Sequence, residues 1–301
     1  MRSINVATDH NVTLHTCIWE PEGTPKGVVQ IIHGVAEYIV RYDTFASFLT
    51  AQGYLVVGED HPGHGKSAKN GNLGYLDGGW MGTVSGIHRV YETIREMYPS
   101  IPYYMLGHSM GSFLLRTYLF TYHTPIAGAI ISGTGWLPGF ILPLGLAVCK
   151  EESLRLGETA NSPLLENMMF GGYNKKFAPN RTTHDWLSTD PEIVDAYVSD
   201  PLCGFPTTIQ LCREMMKGLR MIQKQDNLAR MRKDLPVYFF AGQEDPVGDM
   251  GSGVMKCVNA FKNSGMKYVD WKLYPGMRHE ALNEIGKEQV YQDLITWLEQ
   301  N

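Results

Sequence analysis

The sequence predicts an α/β fold: a mostly parallel sheet with helices on both faces, interrupted by one large insertion. Three observations predict it. Short apolar runs alternate with amphipathic stretches over residues 12–131 and again over 236–299, the pattern of repeated strand–helix units. Several apolar runs, such as Gly27-Val28-Val29-Gln30-Ile31-Ile32, are nearly continuous, as expected of strands covered on both faces. Between about Thr134 and Lys233 the alternation stops, so a long segment is inserted after one sheet strand and before the next.

In chain order, Val12–Trp19 alternates as an early strand, and Gly27–Ile32 is a buried strand ending at His33-Gly34. Arg41–Gln52 has helical periodicity and stops at Gly53, a natural C-cap. Tyr54–Gly58 is the next strand, a helix follows Gly82 and runs to Tyr98, and Ile101–Leu106 is again β-like. Ser112–Phe120 has helical spacing and Ile126–Ile131 is a strand. After the insertion come a strand at Pro236–Ala241, a helix near Ser252–Lys262, a strand at Tyr268–Leu273 and a final helix over Lys287–Glu299. The organisation is therefore a sheet core of residues 1–133 and 234–301 with a lid, or cap, of residues 134–233. Such an insertion is expected over the carboxyl edge of the strands, where α/β folds bind ligands.

A chain of 301 residues can bury a substantial core. Its 44% hydrophobic and 19% charged content is that of an ordinary globular protein, and a net charge of −5 without a basic block argues against a nucleic-acid partner. Cys17, Cys149, Cys203, Cys212 and Cys257 are scattered, odd in number and never in a C-x-x-C pair, which fits reduced thiols. Met1–Asn5 lacks the apolar core of a signal peptide, and the uncharged stretch Gly133–Cys149 is short and broken by Pro138 and Pro143. The expected compartment is the cytoplasm.

The chemistry starts at Gly107-His108-Ser109-Met110-Gly111. This G-x-S-x-G pentapeptide lies between a β-like run and a helical one, the context of the nucleophile elbow in α/β-hydrolases. The sharp turn lifts the Ser109 hydroxyl out of the sheet above the free N–H groups that begin the next helix. A hydroxyl is a weak nucleophile and needs a base, which in turn needs an orienting acid. In this fold they follow in the order Ser, Asp/Glu, His on loops after later strands. Asp245, in Gly242-Gln243-Glu244-Asp245-Pro246-Val247, fills the acid slot, with Glu244 and Asp249 as competing carboxylates. His279 follows the last strand, and no other histidine lies after the acid. The oxyanion donors are expected to be the backbone N–H groups of Met110, at the helix start, and Val35, in the loop His33-Gly34-Val35-Ala36.

Two other motifs fail on inspection. Gly63-His64-Gly65-Lys66-Ser67 ends like a phosphate loop, but Asp60 stands where its first glycine belongs. Gly133-Thr134-Gly135 follows a strand, yet Pro138 takes the last glycine position of a dinucleotide fingerprint. His61, His64 and His108 lack an accompanying set of spaced carboxylates or cysteines. Neither a metal nor a cofactor is expected.

His33-Gly34-Val35-Ala36-Glu37-Tyr38, Arg41-Tyr42, Asp60–Ser67, Gly107–Gly111 and the Asp245 and His279 loops occur in that order. Together they resemble the monoacylglycerol lipase and lysophospholipase branch of the α/β-hydrolases, also grouped as serine aminopeptidase-like hydrolases. The resemblance covers the whole core and implies an α/β-hydrolase fold, a catalytic triad of Ser109, Asp245 and His279, and oxyanion donors at Val35 and Met110. One residue departs from the family pattern: Tyr38 stands where the family often has histidine.

The expected function is a serine carboxylic-ester hydrolase working through an acyl-enzyme on a small-molecule acyl ester, with a monoacylglycerol or lysophospholipid implied by the resemblance. The apolar stretch Trp136–Leu144 reads either as core packing or as a lid that lines an acyl tunnel and touches membrane or micelle. Two alternatives use the same machinery. An aminopeptidase acting on small peptides needs lid carboxylates for a substrate ammonium, and Glu151, Glu152, Glu158 and Glu166 are available. An acyltransferase would pass the acyl group to an alcohol instead of water.

Overall fold

The computed structural model describes residues 1–9 and 12–301. Its sheet has eight strands: β1 (Arg2–Ala7), β2 (Thr13–Trp19), β3 (Gly27–Ile32), β4 (Tyr54–Glu59), β5 (Tyr103–His108), β6 (Gly128–Ser132), β7 (Val237–Gly242) and β8 (Val269–Tyr274). Their order across the sheet is β1-β2-β4-β3-β5-β6-β7-β8. β1 pairs antiparallel with β2, and β2 with β4; every later pairing is parallel.

The strand residues explain the layering. Alternate side chains point to opposite faces, so Val28 and Ile32 of β3 join one apolar cluster while Val29 and Ile31 join the other. On the first face lie α2 (Gly79–Met97), α3 (Met110–Thr121) and α9 (Ser252–Asn263), contributing Val84, Leu114 and Val258. The second face is covered by α1 (Asp43–Ala51) and α10 (Lys287–Gln300), through Phe45, Leu49, Leu294 and Leu298. Burial on both faces is the reason β3 to β7 read as largely apolar runs.

Between β6 and β7 the chain forms α4 (Ile141–Leu156), α5 (Pro163–Met169), α6 (Pro191–Ser199), α7 (Ile209–Ile222) and α8 (Gln225–Arg230). The Met-rich helix α7 is buried almost all round. Leu211, Met215, Leu219 and Ile222 pack into the main core, whereas Ile209, Cys212 and Met216 pack with Cys149 and Leu165 in a satellite cluster. An added Cβ on Gly218 would sit 2.1 Å from the Trp80 ring, so α7 is seated directly on α2. No helix among the described residues is long and apolar enough to cross a membrane.

Three expectations change. The first strand, β1, is not anticipated by the sequence reading. Helix α2 begins at Gly79, before Gly82, with Gly78 left-handed ahead of it. The helix expected over Arg41–Gln52 splits into a 3-10 turn at Ile39–Tyr42 and α1.

Candidate active site

Strand β5 delivers Ser109 into the turn before α3, where the residue adopts φ 52° and ψ −121°. A non-glycine residue holds such a conformation only where its surroundings fix it. Here Ser109 N–H donates to the Ser132 carbonyl at 3.0 Å, and its own carbonyl accepts from Ser112 N at 2.9 Å. Both flanking glycines are required by contact rather than by φ. A Cβ on Gly107 would lie 2.4 Å from the Gly111 carbonyl oxygen, and one on Gly111 would lie 1.9 Å from that of Ile32. The turn therefore presses α3 against β3. Met110, the first residue of α3, is fully buried, and its N–H precedes the helix's own hydrogen bonds.

The loops after β7 and β8 bring Asp245 and His279 together. His279 Nδ1 and Asp245 Oδ1 are 3.0 Å apart, and both side chains are buried. Asp245 Oδ1 also accepts from Val247 N at 2.9 Å, which fixes the carboxylate. Glu244 and Asp249, the competing carboxylates, are exposed, and Asp249 is engaged by Ser252 Oγ. Burial by itself would lower the His279 pKa. The Asp245 charge and hydrogen bond, with Glu280 and Glu37 nearby, outweigh it and leave the imidazole raised. Neighbouring His108 behaves oppositely: burial, with His279 beside it, holds its pKa well below the usual imidazole value. The His108 and Trp186 rings flank His279 at centroid distances of 4.7 and 5.0 Å.

Ser109 and His279 form part of the wall of one cavity of about 380 Å³. No direct hydrogen bond joins Ser109 Oγ to the imidazole. Val35 lines the same cavity, and a Cβ on Gly34 would sit 3.1 Å from that of Ser109, so the loop after β3 closes on the serine. The remaining wall is largely apolar, with Phe113, Phe170, Trp186, Leu187, Phe205 and Met215. No residue of Trp136–Leu144 lines it. Leu142 is buried in the main core, whereas Phe140 and Leu144 are 76% and 59% exposed. Of the four lid carboxylates only Glu166 reaches the cavity, and it accepts from Thr207 Oγ1 at 2.8 Å. Glu152 is paired with Arg155 and Glu158 with Arg213, while Glu151 is exposed.

A buried ion network supports the loop after β3. Arg41 bonds Glu37 Oε2 at 2.6 Å and both oxygens of Glu280 at 2.8 Å. Glu37 Oε1 accepts from Gly34 N at 2.5 Å and from the Tyr42 hydroxyl at 2.9 Å. Burial alone would raise the Glu280 carboxyl; the two Arg41 bonds draw it below the ordinary range. Sequence reasoning saw Glu37 and Arg41 as part of a motif but gave Glu280 no part in it. A contact spanning 239 positions leaves no local signal. Tyr38 uses its hydroxyl to reach Asp200 Oδ2 at 2.8 Å. The segment that resembled a phosphate loop is structural: Asp60 accepts from Ile39 N and Lys66 N at 2.9 and 2.8 Å, and His61 N donates to His33 Nε2 at 3.0 Å.

Comparison with known proteins identifies the family of the chain. The family described as serine aminopeptidase, S33, matches residues 23–286. The chain is 28% identical to the monoacylglycerol lipase of Mycolicibacterium smegmatis, covering 93% of this chain and 91% of that one. It is 27% identical to the mouse monoglyceride lipase, over 93% and 84% of the two chains. Its fold superimposes on a thermostable carboxyl esterase from Bacillus coagulans, solved with glycerol, with a TM-score of 0.92, 29% identity and coverage of 99% and 98%. The chain belongs to the serine aminopeptidase (S33) family of α/β-hydrolases and is a serine hydrolase of the lipase and esterase type.

Proposed function

We propose that this chain hydrolyses monoacylglycerols or closely similar single-chain acyl esters through an acyl-enzyme on Ser109. The observation that carries the reading is the cavity itself: Ser109 and His279 share a wall with an apolar lining large enough for an acyl chain. Each methylene buried there contributes about 0.8 kcal/mol. The names of the relatives support an acylglycerol substrate.

In this reading His279 Nε2 takes the hydroxyl proton as Ser109 Oγ attacks the ester carbonyl. Asp245 holds the Nδ1–H tautomer and stabilises the imidazolium that forms. The Val35 and Met110 N–H groups receive the negative oxygen, and a donor so placed is commonly worth about 3–4 kcal/mol. Collapse of the intermediate breaks the ester C–O bond, and the alcohol leaves with the proton from His279. Water, deprotonated by the same imidazole, then attacks the acyl-enzyme, releasing the carboxylic acid and restoring Ser109.

One observation favours a second reading. Glu166 lies on the cavity wall, where a carboxylate can receive a substrate ammonium, so an aminopeptidase on small peptides is retained as the alternative. The exposed Phe140 and Leu144 on the segment between β6 and β7 suit transient contact with a micelle or membrane surface that delivers the substrate. All five cysteines are free and buried, which supports a reducing compartment such as the cytoplasm. A panel of monoacylglycerols, lysophospholipids, short esters and aminoacyl anilides tests the substrate, with Ser109→Ala as control. Turnover fastest on monoacylglycerols and lost in Ser109→Ala is expected. Preference for the anilides would replace this reading with the aminopeptidase.

A further inference from the structure

We infer that Tyr197, carried by the segment inserted between β6 and β7, is a positioning residue that sets the loop bearing the Val35 N–H. The inference rests on the proposed role of that N–H as an oxyanion donor.

The loop needs an external hold. Ala36, directly after Val35, has φ 53°, a left-handed conformation that a side chain disfavours and that persists only where neighbours fix it. Its carbonyl supplies the grip. It accepts the Tyr197 hydroxyl at 2.9 Å and the Gly204 N–H at 2.9 Å, both from the inserted segment. On the other side of Val35, the Gly34 N–H is held by Glu37 Oε1. Val35 N–H is thus bracketed by two fixed peptide groups. A third tie, from the Tyr38 hydroxyl to Asp200, joins the end of the same loop to the same segment.

Tyr197 also touches the other anchor. The Arg41 guanidinium lies 4.8 Å from the Tyr197 ring centroid, and that guanidinium bonds Glu37 and Glu280. Glu280 directly follows His279. The hydroxyl therefore fixes one side of the oxyanion loop, and the ring packs on the cation that fixes the other. The inserted segment is in this way part of the catalytic geometry as well as a cover over the cavity. Tyr197 itself is buried at 6% exposure, so both contacts are shielded from competing water.

The test is Tyr197→Phe, which deletes the hydroxyl and keeps the ring over Arg41. Loss of a whole oxyanion donor costs about 100- to 1,000-fold in kcat. A loosened donor is expected to cost about 10- to 100-fold on a short soluble ester, with KM within about twofold. Affinity for a trifluoromethyl ketone, whose hemiketal oxygen occupies the oxyanion site, should fall by the same factor as kcat/KM. Tyr38→Phe, which removes only the tie to Asp200, should show the same pattern at about threefold and serves if Tyr197→Phe does not fold. Unchanged kcat and ketone affinity in a folded variant overturns the inference, as does a raised KM with unchanged kcat. A lower melting temperature with unchanged ketone affinity also overturns it, since that is a structural role alone. Full activity in Ser109→Ala would instead remove the underlying reading of the site.

Discussion

His279 Nδ1 and Asp245 Oδ1 meet at 3.0 Å although 34 residues separate them in the chain, and neither side chain is open to solvent. Two loops, one after β7 and one after β8, have to be held in register for this contact to exist. Parallel pairing of Val237–Gly242 with Val269–Tyr274 does that. Asp245→Asn keeps the shape and removes the charge, so the imidazole loses both its tautomer and the partner for its protonated form. Expected is a kcat lower by about 1,000- to 10,000-fold with a nearly unchanged melting temperature. Glu244→Gln, one residue earlier and exposed, should leave steady-state kinetics within about twofold. The reverse outcome would place the acid at Glu244.

The pH dependence follows from the same pair. Only neutral imidazole accepts the serine proton, and the folded environment raises the His279 pKa above its ordinary value of about 6.5. A raised pKa means protonation sets in at higher pH. Activity should therefore be full on the alkaline side and be lost as pH falls through that raised value. In Asp245→Asn the raising charge is gone while burial remains, so the acid limb of kcat/KM should move to lower pH. A limb that stays in place would show that another group controls it.

Gly111 sits where α3 crosses β3, with its ideal Cβ position 1.9 Å from the Ile32 carbonyl oxygen. That neighbour is backbone in a central strand paired on both sides, so it has little room to give. Gly111→Ala should destabilise the fold by about 3 kcal/mol or more, read by chemical denaturation, or prevent soluble expression. A stable, active Gly111→Ala would mean that the elbow can relax without β3 moving.

How much of this was legible in sequence varies by element for physical reasons. Strands β3 to β7 were readable because they are buried on both faces and so are largely apolar, whereas the parallel edge strand β8 is partly exposed. Strand β1 is exposed on alternate positions, with Ser3, Asn5 and Ala7 outward, so its short pattern at the chain end carries little signal. Ser109, Asp245 and His279 could be picked out as candidates because each lies in the loop that follows a strand, one residue after β5, three after β7 and five after β8. The Arg41–Glu280 contact could not, since long-range pairs have no spacing rule. Within residues 134–233, where the alternation stops, prolines and glycines punctuate the sequence and hide the helices. Pro163 and Pro191 occupy the first turns of α5 and α6, where a missing N–H costs nothing. Ser162 and Asp190 cap those turns by accepting Leu165 N and Glu192 N.

The stretch Trp136–Leu144 offered two readings, core packing or a lid lining an acyl tunnel; none of its residues lines the cavity, Leu142 packs into the core, and Phe140 and Leu144 are exposed. Leu142 is 3% exposed and packs with the main core, so Leu142→Asp buries an unpaired charge at a cost of several kcal/mol. It should lower the melting temperature and reduce long- and short-chain ester hydrolysis together. Leu144, at 59% exposure, can hold an aspartate in water with little effect on stability. If the exposed pair Phe140 and Leu144 contacts a lipid surface, Phe140→Asp and Leu144→Asp should weaken hydrolysis of a dispersed long-chain monoacylglycerol. Turnover of a short soluble ester, which needs no surface, should be unchanged. Adding detergent below its micellar range should not restore the difference, whereas mixed micelles rich in anionic lipid should widen it, because the new carboxylate is repelled. Equal rates on both substrates in the Leu144→Asp variant would mean that this exposed end of the segment has no part in substrate capture.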